Sequence, residues 1–309
     1  MRVSLAVRYD DRRESQRPEV GDMTSARTTA VITSRGRPSL RRAVASVLRQ
    51  QEPVEALVIL LGSAAHAAVR RRLEDLPCRV VVAEEGAGAS AARNLGCRLA
   101  ETPFVAFLDE RDEWLGEKIH TQMNEACEDT VLSSRALLVG ASSQIVPQQI
   151  YRTGDPVTSW AEHLFEASHI SEEHHYSQTS TLLCPREVAI AVPWADDLDD
   201  HADWDWLIRL EAAGYRILQH PEVLVRVFQN SRSGKSRAAD WRTSQLWVRS
   251  LEPMVPPHLV GNLTASVVAR GAFASRAWAP GCQALIAGIR AGAHRSAVLW
   301  GVSGLISRG

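Results

Sequence analysis

The sequence predicts an α/β fold: a mostly parallel central sheet sandwiched between helices, with a helical C-terminal extension. Three observations carry this. Short apolar runs at 29–33, 56–61, 79–83 and 103–108 alternate with segments of helical period. The last of these runs ends abruptly in Asp109, Glu110, Asp112 and Glu113, interrupted by Arg111. Beyond residue 238 only helical patterns remain. Ligands of open α/β sheets bind just beyond the carboxyl ends of the strands, so carboxylates delivered at such a tip mark a polar site.

Each element follows from its residues. Residues 1–27 are polar and rich in Arg, Asp and Glu, and resemble a disordered arm. The strand at 29–33 leads into Ser34-Arg35-Gly36-Arg37-Pro38, a turn with Pro near a helix start. Leu40, Val44, Val47 and Leu48 then recur at helical spacing. Strands at 56–61 and 79–83 precede a helix over 90–100 and the acid-tipped strand 103–108. Strands alternating with short helices argue for βαβ units with right-handed crossovers. A helix over 118–127, a strand over 131–139, a loop over 141–156 and a helix over 157–167 come next. A β-type run at 181–184 precedes a short helix at 186–191. The acidic segment 196–205 introduces a strongly apolar helix that ends at Gly214, a favourable C-cap. Strands are expected at 215–218 and 223–228, and helices at 239–251, 258–275 and 282–303. The chain thus divides into an arm (1–27), an α/β domain (28–230) and a loop with a helical extension (231–309).

Composition narrows the function. The chain has 309 residues, 45% of them hydrophobic and 23% charged, as expected of a globular protein with a sizeable core. A net charge of −1 gives no general attraction for nucleic acid. No apolar stretch reaches the 18 or so residues of a spanning helix. Five scattered cysteines, 78, 97, 127, 184 and 282, match no zinc pattern and fit reduced thiols in the cytoplasm. Trp204, Trp206, Trp241 and Trp247 either line a sugar or pack in the core, and the core is the commoner fate. Gly86-Ala87-Gly88-Ala89-Ser90-Ala91 lacks the third Gly and the acidic partner of a dinucleotide-binding loop.

Four motifs occur in a fixed order: Thr33-Ser34-Arg35-Gly36-Arg37, Gly88-Ala89-Ser90-Ala91-Ala92-Arg93-Asn94-Leu95-Gly96, Phe107-Leu108-Asp109-Glu110-Arg111-Asp112-Glu113-Trp114 and Asp203-Trp204-Asp205-Trp206. Over roughly residues 28–230 the series resembles a family 2 glycosyltransferase with the GT-A fold. The resemblance implies an inverting transfer of sugar from a nucleotide diphosphate to an acceptor hydroxyl. It places the general base on Asp203. It implies donor contacts for Thr33, Arg35, Arg93, Asn94, Asp109, Glu110, Arg111, His201 and Trp204, and ligation of Mn²⁺ or Mg²⁺ by Asp109 and Asp112.

The chain departs from that pattern at several places. Leu60-Leu61-Gly62-Ser63 stands where Asp-Asp-Gly-Ser is usual, and Leu cannot accept a hydrogen bond from a nucleobase. Arg111 occupies the metal-binding Asp position, and a guanidinium binds a diphosphate rather than a cation. Gln229 and Asn230 replace a late His, and Ala202 replaces an acidic residue or Gln before the base. These changes predict weak metal dependence, with Arg111 supplying positive charge and Arg232, Lys235 and Arg237 closing as a lid. Alternatively Arg111 pairs with Asp109 or Glu113 on the surface and the 231–236 loop is merely solvated. Separately, the altered positions 60, 61, 111 and 202 raise a degenerate member of the family that binds nucleotide sugar, or a partner, without turnover. Trp241, Ser244 and Trp247 could complete the acceptor side or a homodimer contact. Arg270, Arg276, Arg290 and Arg295 raise a membrane-surface role for the extension.

Overall fold

The computed structural model describes residues 26–63, 65–140, 143–154, 159–165, 177–198, 200–229 and 240–306. The N-terminal arm and the Arg232/Lys235/Arg237 segment lie outside these residues, apart from 26 and 27 of the arm.

Strands β1 (Thr28–Ser34), β2 (Val54–Leu60), β3 (Cys78–Val82) and β4 (Phe104–Asp109) pair parallel in the order β3-β2-β1-β4. Helices α1 (Leu40–Leu48), α2 (His66–Arg72) and α3 (Ala89–Leu99) make the crossovers. Every residue of β1 is buried, which is why its sequence is a continuous run rather than an alternation. Packing of α3 on β1 depends on Gly96: a Cβ there would lie 2.2 Å from a Val31 methyl.

The sheet continues β4-β8-β6-β9-β5, with β8 (Leu183–Pro185) antiparallel to β4. Beyond it lie β6 (Thr130–Val139), β9 (Arg216–Phe228) and the two-residue β5 (Glu113–Trp114). The short strand β7 (Gln144–Val146) pairs with the edge of β6 inside the expected 141–156 loop. The two strands expected at 215–218 and 223–228 are one. The register of β9 on β6 jumps from His220 to Val223, so Pro221, which has no N–H to give, sits in a bulge. Helices α4 (Lys118–Met123), α5 (Trp160–Phe165), α6 (Arg186–Ala191) and α7 (Ala202–Ala212) complete the α/β unit.

The extension comprises α8 (Trp241–Leu251), α9 (Pro257–Leu263), a π-helical stretch Thr264–Ala269, α10 (Arg270–Ala274), α11 (Trp278–Arg290) and α12 (Arg295–Ser303). In the π-helical region the Thr264 and Ser266 hydroxyls bond back to the carbonyls of Val260 and Asn262. The single helix expected over 282–303 is interrupted at Gly292, whose φ of 91° favours glycine. One hydrophobic cluster runs from Val31, Phe107 and Trp206 through Trp247 to Leu259 and Phe273, so the extension shares a core with the α/β unit.

Candidate active site

The tips of β1 and β4 adjoin, with Thr33 opposite Asp109. The Thr33 hydroxyl donates to Asp109 Oδ1 at 3.2 Å, and an Arg93 guanidinium N–H approaches the same oxygen at 3.4 Å. Arg93 comes from α3 and is almost fully buried. Its guanidinium lies 4.7 Å from the ring centroid of Trp194. Trp194 stacks on Trp206 at 4.2 Å, and both meet Phe107 of β4 edge-on. The cation thus rests on an aromatic platform whose base belongs to the strand carrying Asp109. Arg93 Nε has no hydrogen-bond partner among the described residues.

Asp203 reaches the same place from the first turn of α7 and accepts the Thr179 N–H at 2.9 Å. Burial raises the proton affinity of its carboxyl; Arg93 opposes that shift and Asp109 adds to it. Asp203, Arg93 and Asp109 therefore act on one another as charges within a single site.

Asp112 has a different setting. It is buried, with Oδ2 accepting the Ser180 hydroxyl at 2.7 Å and Oδ1 accepting the Phe228 N–H at 3.2 Å. Burial, and secondarily the charge of Asp109, push it up to about 7. Ser180 also accepts the Asp109 N–H at 3.1 Å, and its carbonyl accepts the Trp114 indole N–H at 2.9 Å. The spacing of Asp109, Asp112 and Trp114 is thus that of three groups fastened to one residue. Ser180 sits in the one-turn 3-10 helix Thr179–Thr181, the same turn that donates to Asp203.

Other expected contact residues have structural partners. Glu110 is buried and accepts the Ser34 hydroxyl at 2.7 Å, the Arg37 N–H at 3.0 Å and the Arg37 guanidinium at 2.6 Å, fixing the turn after β1. Asn94 donates to the Trp194 carbonyl and to Asp196, and accepts the Trp194 N–H, anchoring the aromatic platform. His201 caps α7 with φ 63°, lies 3.0 Å from the Ser244 hydroxyl and stacks on Trp247 at 4.4 Å. Burial lowers its pKa to about 4, so it is a neutral ring at pH 7. Trp204 is half-buried against Phe165, while Trp206, Trp241 and Trp247 are buried in the core. The Trp247 indole donates to Asp205, which also pairs with Arg209. Trp241, Ser244 and Trp247 thus pack within the chain rather than facing outward.

Arg35 and Arg111 are exposed beside this site, and neither guanidinium makes a hydrogen bond or ion pair among the described residues. Glu113, a suggested partner of Arg111, is taken by Arg49 and Arg226. Among the described residues no group of three His, Cys, Asp or Glu could hold a metal ion. Both Asp112 oxygens already accept hydrogen bonds, which leaves Asp109 as the partly open carboxylate of the acid motif. This donor set is a poor fit for a cation held by protein groups alone.

Comparisons with known proteins bear on the family and the fold. Residues 29–178 match glycosyl transferase family 2. This segment is a family 2 glycosyl transferase domain. The chain is 24% identical over 183 residues to the amylovoran biosynthesis glycosyltransferase AmsB of Erwinia amylovora. That alignment spans 59% of this chain and 61% of AmsB. In fold it is similar to S. aureus TarS 1-349 in complex with UDP-GlcNAc, with a TM-score of 0.62 at 16% identity, covering 88% of this chain and 83% of that one. It is also similar to the mannosyltransferase PcManGT of Pyrobaculum calidifontis in complex with GDP-Man and Mn²⁺, with a TM-score of 0.53 at 16% identity, covering 91% and 80%. The fold is thus that of GT-A glycosyltransferases, with added C-terminal helices.

Proposed function

We propose that this protein transfers a sugar from a nucleotide diphosphate to an acceptor hydroxyl with inversion, and that Asp203 is the general base. The observation that carries the reading is the mutual approach of Asp203, Arg93 and Asp109 at the tips of β1 and β4. A carboxylate whose proton affinity is raised by burial is better matched to taking an alcohol proton near neutral pH than a solvated one. As the acceptor oxygen attacks the anomeric carbon, Asp203 takes its proton and the nucleoside diphosphate departs with the electron pair of the broken glycosidic bond. Asp109 and Thr33 hold the nucleoside. Arg111, exposed beside them and unpaired among the described residues, binds the departing diphosphate and supplies positive charge as it leaves. The buried Leu60 and its neighbour Leu61 give an apolar wall where a base-reading carboxylate is usual, so selectivity among UDP, dTDP and GDP donors rests on other contacts.

Release of nucleoside diphosphate from a panel of UDP-, dTDP- and GDP-sugars tests this. Asp203→Asn is expected to lower kcat by about 10²- to 10⁴-fold, the usual worth of a positioned base. Titration with Mn²⁺ and then EDTA is expected to change the rate modestly. Strict metal dependence would remove the role given to Arg111. Donor binding without turnover by wild-type protein, across donors and simple sugar acceptors, would favour a binding protein instead.

A further inference from the structure

We infer that the outer face of α11 and α12 docks onto an anionic lipid surface. This rests on the extension alone and stands independently of the glycosyl transfer reading. Helices of a water-soluble domain turn large apolar residues inward and polar ones outward. Here the order is reversed. The buried positions of α11 are Gly281, Ala284 and Gly288, and those of α12 are Ala297 and Gly301. The backbones approach so closely that a Cβ at Gly301 would lie 2.3 Å from the Ala265 carbonyl oxygen, and one at Gly288 would lie 2.8 Å from that of Gly261. Small residues fill the inner side, so the large ones point out. Trp278, Ile286, Ile289 and Leu299 are all exposed, Leu299 at 71%, and Ile306, in the turn after α12, is exposed at 82%. Ile286 and Ile289 lie on the same outer face of α11 as Cys282 and Arg290.

Charge identifies the occupant. None of the 36 acidic residues of the chain lies beyond Glu252, while Arg270, Arg276, Arg290, Arg295 and Arg308 do. Arg276, Arg290 and Arg295 are exposed. Apolar side chains including Trp, flanked by arginines and free of carboxylates, complement an interface of acyl chains and anionic headgroups. A second copy of this face would bring arginines against arginines, which disfavours self-pairing. No helix among the described residues is long and apolar enough to cross a membrane, so the contact lies in the plane of the interface.

Flotation of the purified full chain with vesicles tests the inference. One set is phosphatidylcholine alone, and the other contains about 30% phosphatidylglycerol. Binding is expected only to the anionic vesicles and is expected to weaken strongly at about 0.5 M NaCl. The exposed pair Ile286→Ser/Ile289→Ser should abolish flotation while leaving the melting temperature and nucleotide release unchanged. Arg276→Gln/Arg290→Gln/Arg295→Gln should weaken it by roughly 100-fold, at about fivefold per arginine. Absence of binding to anionic vesicles, or equal binding to both sets, overturns the inference. So does a dimer in light scattering that the Ile286/Ile289 variant dissolves while vesicles never bind.

Discussion

Asp112 gives the sharpest test of the site's electrostatics. Its carboxyl titrates at about 7 in the folded protein, against an ordinary value of 3.8. The native state therefore holds a proton over a range in which the unfolded chain has released it. Stability from this group is fully present below about pH 4 and is lost as pH rises through about 7. A difference of about three units at 1.36 kcal/mol each gives about 4 kcal/mol, as an upper bound because Asp109 shares the titration. Asp112→Asn removes the titration, keeps the shape and leaves one carbonyl oxygen to accept from Phe228 N–H or Ser180. Urea denaturation of both proteins at intervals from pH 4 to pH 8, in EDTA, isolates the contribution of Asp112 together with its coupling to Asp109, since ionisable groups that do not interact with Asp112 cancel in the difference. The stability of the variant relative to wild type should climb by up to about 4 kcal/mol over that range, equivalent to a melting-temperature gain of about 8 °C. Parallel curves for the two proteins would refute the assignment of a high proton affinity to Asp112.

Other outcomes follow from neighbouring residues. Gly96→Ala drives a methyl into Val31, so it should cost about 1–3 kcal/mol in urea denaturation and lower activity by displacing Arg93 on the same helix. Trp247→Phe removes the indole N–H from the buried carboxylate of Asp205, and a loss of about 1–3 kcal/mol is expected by the same method. Arg111→Ala should lower kcat by about 10²-fold with a melting temperature unchanged within about 1 °C, because its guanidinium has no partner among the described residues. Because burial raises the proton affinity of Asp203, the rate should fall on the acid side at a higher pH than for a solvated carboxylate, as the proposed base becomes protonated. An acid limb lying at the ordinary Asp value in a kcat/KM–pH profile would count against Asp203 as the base.

The parallel half of the sheet is legible in the sequence because burial on both faces produces continuous apolar runs, and those at 29–33 and 103–108 match β1 and β4 to within a residue or two. Asp109 at its strand tip was readable for the same reason. Its partners were not. Ser180 lies 71 positions from Asp109, in a segment that reads only as the approach to a strand, and nothing local signals which serine will gather three groups of a distant motif. Asn94 and Glu110 have the same history: polar residues in a suggestive motif whose hydrogen bonds go to Trp194, Asp196, Ser34 and Arg37. Helix α2, His66–Arg72, escaped notice because Val69 is its single buried residue and so provides no repeat to read. The break at Gly292 was hidden by apolar positions that keep helical spacing across it.

The seating of His201 between Ser244 and Trp247 has an implication for how this protein can be taken apart. The residue that opens the helix carrying Asp203 is gripped by a helix from the far side of the sequence. Trimming the chain after residue 230 would therefore do more than shorten it: it would strip the support from beneath Asp203 and expose the aromatic surface of the cluster. Exchanging the C-terminal part with that of a relative would transplant half of the clamp, and both halves would have to be matched for the carboxylate to keep its aim.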